Sequence, residues 1–112
     1  MPTDTLAIDE PTAYPSVFDL IEDWADDRNI IEGSSPQSQF VKLIEEVGEL
    51  ASDIAKGRDV ADSIGDAVVV LTILAAQHDY TIEECAWIAY NEIKERKGRV
   101  IDGIFVKEED IV

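Results

Sequence analysis

Apolar residues recur at steps of three and four along most of this chain, the spacing that sets side chains on one face of an α-helix. Val17, Phe18, Leu20, Ile21, Trp24 and Ala25 form one such stripe. Ser16 precedes it as an N-cap with Asp19 three residues on, which predicts a helix to about Arg28. After a link from Asn29 to Ser35, the series Phe40, Leu43, Ile44, Val47, Leu50, Ala51, Ile54 predicts a second helix from about Pro36 to Lys56, stopped by Gly57. It is the strongest periodic signal in the chain. Asp59 reads as the cap of a third helix running to about His78. Thr81 and Glu84 form a capping box for a fourth, from Ile82 to about Lys97, closed by Gly98. In the tail, Asp102-Gly103 stands between Val100-Ile101 and Ile104-Phe105-Val106, the pattern of a small hairpin or clasping arm. Residues 1–15 hold Pro2, Pro11 and Pro15 without a helical period, so they read as a flexible arm. The expectation is one all-α domain over 16–112, resembling a four-helix bundle with a short C-terminal arm or hairpin.

The third helix adds an expectation about assembly. Its second half is apolar nearly all round, with Val68, Val69, Val70, Leu71, Ile73 and Leu74. A helix apolar on every side must be covered on every side, and three short partner helices from one chain are too few. An oligomer is therefore expected, a homodimer in the simplest case or a homotetramer.

Composition removes several function classes. With 25 acidic against 9 basic side chains the formal net charge is −16, which works against holding a phosphate backbone and excludes direct nucleic-acid binding. The apolar run Ala67–Ala76 is too short to span a bilayer, so no membrane partner is expected. The start of the chain lacks the basic residues and apolar stretch of a signal peptide. A lone cysteine, Cys85, offers no internal disulfide. These features fit a cytoplasmic protein.

The same acidity suits a cation. On the second helix, at roughly 100° per residue, Glu46 falls about 90° from the centre of the apolar stripe and Glu49 about 150° from it. Spaced by three, they share a face that Lys42 and Asp53 continue, while Glu45 points nearly opposite the stripe. On the third helix Asp59, Asp62 and Asp66 share a face, and Asp66 sits at the edge of the apolar region. A buried, unpaired carboxylate costs several kcal/mol or takes up a proton, whereas a cation between such groups relieves them. Carboxylate oxygens without thiolate or imidazole select a hard ion, Mg²⁺ or Mn²⁺. Lys94, Arg96, Lys97 and Arg99 crowd the end of the fourth helix, where they suit either its dipole or a phosphate.

Two segments together resemble a known group. Lys42-Leu43-Ile44-Glu45-Glu46-Val47-Gly48-Glu49-Leu50 and Asp62-Ser63-Ile64-Gly65-Asp66-Ala67 are similar to the paired acidic motifs of MazG-like nucleotide pyrophosphohydrolases, the all-α NTP pyrophosphatases. The resemblance runs from about Phe18 to Lys107. It implies a MazG fold and hydrolysis of a nucleoside triphosphate to NMP and pyrophosphate with Mg²⁺, in housecleaning or nucleotide-pool control. It implies that Glu46, Glu49 and Asp66 hold the metal, with Asp62 as a further ligand and Glu45 or Asp62 as proton acceptor. Asn91 and Lys94 would contact the nucleotide, with Lys42 and Arg99 beside the phosphates and Trp24 offered as a stacking surface. One position departs from the pattern: Ser63 stands where the family carries the glutamate of its second motif. That departure leaves open a weak or inactive MazG-like protein that senses a nucleotide or binds a partner.

Overall fold

The computed structural model describes residues 16–112, so the arm expected over 1–15 lies outside the described residues. The chain forms α1 (Val17–Asp27), α2 (Ile30–Gly33), α3 (Pro36–Ala55), α4 (Ala61–Gln77) and α5 (Ile82–Ile93). A hairpin of β1 (Gly98–Ile101) and β2 (Ile104–Lys107) follows, and then a 3₁₀ turn over Glu108–Asp110. The fold is mostly helical with one small antiparallel sheet.

Local chemistry explains the starts and stops. Ser16 and Asp19 exchange side-chain and backbone hydrogen bonds at the head of α1, as do Thr81 and Glu84 at the head of α5. Ser35 and Ser38 do the same for α3, with Pro36 in the first turn where its missing N–H costs nothing. Asp102 and Gly103 both take positive φ, at 52° and 81°, so the tight turn of the hairpin is the one their sequence favours.

Three expectations need correction. The link after α1 contains a helical turn of its own, α2, entered through Asn29 at φ 58° and tied to α4 by Gln77, whose amide donates to the Ile31 and Ser34 carbonyls. Asp59 is not the N-cap of α4; that position is Val60, and the carboxylate of Asp59, one residue before the cap, accepts from the N–H of Ala61, the first residue of the helix. The last helix stops at Ile93 rather than Lys97. Gly98 belongs to β1, where a side-chain carbon would run into the Val106 carbonyl oxygen, so this glycine admits the partner strand instead of closing a helix.

Helix α4 is central. Its most extensive contact is with α3, followed by α1 and α2, while α5 lies more loosely against it. The fully enclosed apolar residues among those described are Ala25, Val70, Ile73 and Ala75, and Thr72 is buried with its hydroxyl donating to the Val68 carbonyl at 2.7 Å.

The orientation of α3 differs from its periodicity. The line of α3 that is turned inward runs Leu43, Glu46, Leu50, Asp53. Phe40, Ile44, Val47 and Ile54, which the pattern assigns to a core, stay about half-exposed or more. The two lines lie about a quarter-turn apart at 100° per residue. Helix α3 thus gives α4 its semi-polar flank and leaves Phe40, Ile44, Val47 and Ile54 of its apolar stripe uncovered by the described residues.

Candidate metal centre

That rotation decides what the acids do. Glu46 becomes one of the most enclosed residues described, at 5% exposure, although it is charged. Lys42, one helical turn earlier, approaches its Oε1 at 3.4 Å, and also reaches Glu45 at 3.7 Å. The other oxygen, Glu46 Oε2, is buried without a hydrogen-bond partner. Native proteins rarely leave such an atom unsatisfied, and an ion is one standard reason.

Glu49 and Asp66 close around the Glu46 carboxylate. One carboxylate oxygen from each of Glu46, Glu49 and Asp66 lies within 4.8 Å of the others. Mg²⁺ holds oxygen ligands at about 2.0–2.1 Å, so the three carboxylates can share one ion if their side chains draw inward. The cluster is graded from inside to outside, with Glu46 buried, Asp66 half-buried and Glu49 exposed. The Glu46 carboxylate beside it raises the Glu49 pKa above the ordinary glutamate value, helped by desolvation and by Asp66 and opposed by Lys42. The donor set is all oxygen, suited to a hard divalent ion.

The cluster opens into a cleft of about 370 Å³. Glu49, Asp62, Ser63 and Asp66 line it from the two long helices, and Ser52, Asp53 and Arg58 line it at the end of α3. Asp62, expected as a further ligand, lines the cleft but stands outside the three-carboxylate cluster. Ser63 is buried, and its hydroxyl donates a hydrogen bond to Asp53 Oδ2. This bond, then the Arg58 guanidinium, holds the Asp53 carboxyl below its usual range.

The remaining sequence candidates lie elsewhere in this chain. Glu45 is exposed, paired with Lys42, and does not line the cleft. Trp24 sits on α1 with the Arg28 guanidinium stacked 4.7 Å over its ring. Asn91 is exposed on α5, Lys94 caps its C-terminus, and Arg99 is on β1. None of these is among the residues lining the cleft. Conversely, the apolar pattern does not single out Arg58, because it follows the helix rather than belonging to it. The usable signal is Gly57: a left-handed glycine after a helix folds the next residue back over the last turn.

Over 60 residues the chain is 57% identical to an "Uncharacterized 18.2 kDa protein in rep-hol intergenic region" of Haemophilus phage HP1 (strain HP1c1). The match takes in 52% of this chain and 37% of that protein, so the chain spans little more than a third of its relative's length. No family model matches the chain. No solved structure matches it.

Proposed function

We propose that this chain is a Mg²⁺-dependent nucleoside triphosphate pyrophosphohydrolase of MazG-like fold, cutting (d)NTP to (d)NMP and pyrophosphate, with Mn²⁺ as an alternative ion. The observation that carries the reading is the convergence of Glu46, Glu49 and Asp66 from two helices, with the Glu46 carboxylate buried and one of its oxygens unpartnered. Those residues would hold the ion. When bound, it supplies Lewis-acid polarisation of the phosphates and neutralises their charge. Asp62, which lines the cleft without belonging to the three-carboxylate cluster, would accept the proton of the attacking water; Glu45 does not line the cleft. The oxygen of that water bonds to the α-phosphorus as the bridge to the β-phosphate breaks, and pyrophosphate leaves with the bond's electron pair.

A homo-oligomer accompanies this reading. Among the described residues the outward stripe of α3 and Trp87, Ile88 and Ile93 of α5 are exposed, and contiguous apolar surface of this kind commonly marks an interface. A second copy would cover it, and would be the source of Asn91, Lys94, Arg99 and Trp24 if they contact substrate. The alternative of a nucleotide-sensing or partner-binding protein has one observation in its favour: Ser63 is turned to Asp53 and adds no carboxylate to the cluster.

A panel of NTPs and dNTPs with Mg²⁺, read by chromatography of NMP and pyrophosphate, tests the proposal with Glu49→Ala as control. Pyrophosphate from the wild type and not from the variant supports it. A folded protein silent across the panel would refute it and leave the binding role.

A further inference from the structure

The cleft beside the acidic cluster has a single basic residue in its lining, Arg58. Its position follows from how α3 ends. Gly57 takes φ 68°, and the chain then folds back so that the Gly57 N–H donates to the Ile54 carbonyl at 3.2 Å and the Arg58 N–H to the Asp53 carbonyl at 2.8 Å. This paired closure is the one a left-handed glycine provides. It turns the Arg58 side chain onto the last turn of α3, where Nε donates to Asp53 Oδ1 at 2.9 Å and Nη2 to Ser52 Oγ at 3.2 Å. Asp53 is gripped in turn by the buried Ser63 hydroxyl on α4. The guanidinium is therefore tied to both helices that carry the acidic cluster.

Those bonds occupy Nε and one hydrogen of Nη2. Nη1 has no partner among the described residues, and with the second hydrogen of Nη2 it can offer an end-on pair of donors. Two parallel donors on a planar cation match two oxygens of a phosphate. The rest of the lining carries the carboxylates of Glu49, Asp53, Asp62 and Asp66, which repel a free polyphosphate.

We propose that Arg58, locked side-on by Asp53 and Ser52, is the phosphate-contacting residue of this cleft, presenting its free edge to the phosphate chain of a nucleoside triphosphate carried in with its divalent ion. The inference rests on the pyrophosphohydrolase reading and adds a residue to it. It also gives Ser63 a role other than that of a further ligand, since this hydroxyl fixes the carboxylate that fixes Arg58.

Calorimetric titration distinguishes the inference from the reading beneath it. Wild type, Arg58→Ala and Arg58→Lys are each titrated with Mn²⁺ alone, then, in saturating Mn²⁺, with α,β-imido analogues of the deoxynucleoside triphosphates. Loss of a charge-assisted phosphate contact weakens analogue binding by about tenfold or more. Arg58→Lys, which keeps the charge without the fork, falls between. Mn²⁺ alone binds Arg58→Ala at least as tightly as wild type, because a nearby positive charge has been removed. Equal analogue affinity in wild type and Arg58→Ala overturns the inference while leaving the reading intact. Parallel loss of Mn²⁺ and analogue in Arg58→Ala also overturns it, since Arg58 would then support the cluster's architecture. A wild type that binds Mn²⁺ but no analogue overturns both.

Discussion

Glu46→Gln separates the two conditions in which the cluster exists, with and without a cation. In metal-free protein, Glu46 Oε2 is buried without a partner, in a carboxylate clustered with two others. Glutamine keeps the shape, keeps an oxygen for Lys42, and puts an amide donor in a cluster that otherwise holds only carboxylates. An unsatisfied buried polar atom costs about 1–3 kcal/mol. The Lys42 contact at 3.4 Å involves a half-exposed ammonium screened by water, so weakening it offsets only a small part of that gain. In EDTA the variant should melt above wild type, by about 4–8 °C for each kcal/mol regained in a domain of this size. Mg²⁺ should act the other way. A ligand at a hundred times its dissociation constant stabilises the folded state by about 2.7 kcal/mol, and the variant has lost the most enclosed ligand. Thermal denaturation followed by circular dichroism, in EDTA and over a Mg²⁺ titration, reads both effects. A variant that melts below wild type in EDTA would mean that Oε2 is already satisfied. A variant whose melting temperature climbs with Mg²⁺ as steeply as wild type would place the metal elsewhere.

Further outcomes follow from the same geometry. Glu49→Ala should abolish pyrophosphate release with little loss of fold, while Glu45→Ala, which removes an exposed pair with Lys42, should leave most turnover; equal loss in both would contradict the face assignment. Because the Glu49 pKa is raised in the folded protein, the metal-free chain should gain stability as pH falls through that raised value toward 4.5, and Mg²⁺ affinity should fall over the same range, as denaturation and Mg²⁺ titrations at stepped pH would show. Asp53 has the opposite sign: its lowered pKa gives stability that is complete above 3.8 and lost as pH drops through the folded value, and Ser63→Ala should reduce that loss in an acid titration. The melting temperature should decline on dilution if a second copy covers the α3 stripe and α5, and a concentration-independent value would count against the oligomer. Gly98→Ala should loosen the hairpin, with a cost of about 1–3 kcal/mol if the strands stay paired, visible as earlier proteolysis of the tail.

The sequence by itself determined the four longer helices and the caps that open α1 and α5, because those depend on neighbours three and four residues away; α2, the N-cap of α4 and the end of α5 were decided elsewhere. Ser16 with Asp19, Thr81 with Glu84, and Asp102-Gly103 each act through contacts that close within one turn. It also brought Glu46, Glu49 and Asp66 forward as candidates, since helical spacing puts the first two on one face and Asp66 at an apolar margin. Tertiary structure decided the rotation of α3. Periodicity reports where apolar residues gather, but the burial they seek can be satisfied inside the chain or by another chain, and here α4 takes the neighbouring face. That quarter-turn buries Glu46 and orphans its second oxygen. The partnership of Ser63, Asp53 and Arg58 was equally beyond the reach of spacing, because it joins the end of one helix to the start of the next through side chains that meet only when the helices pack.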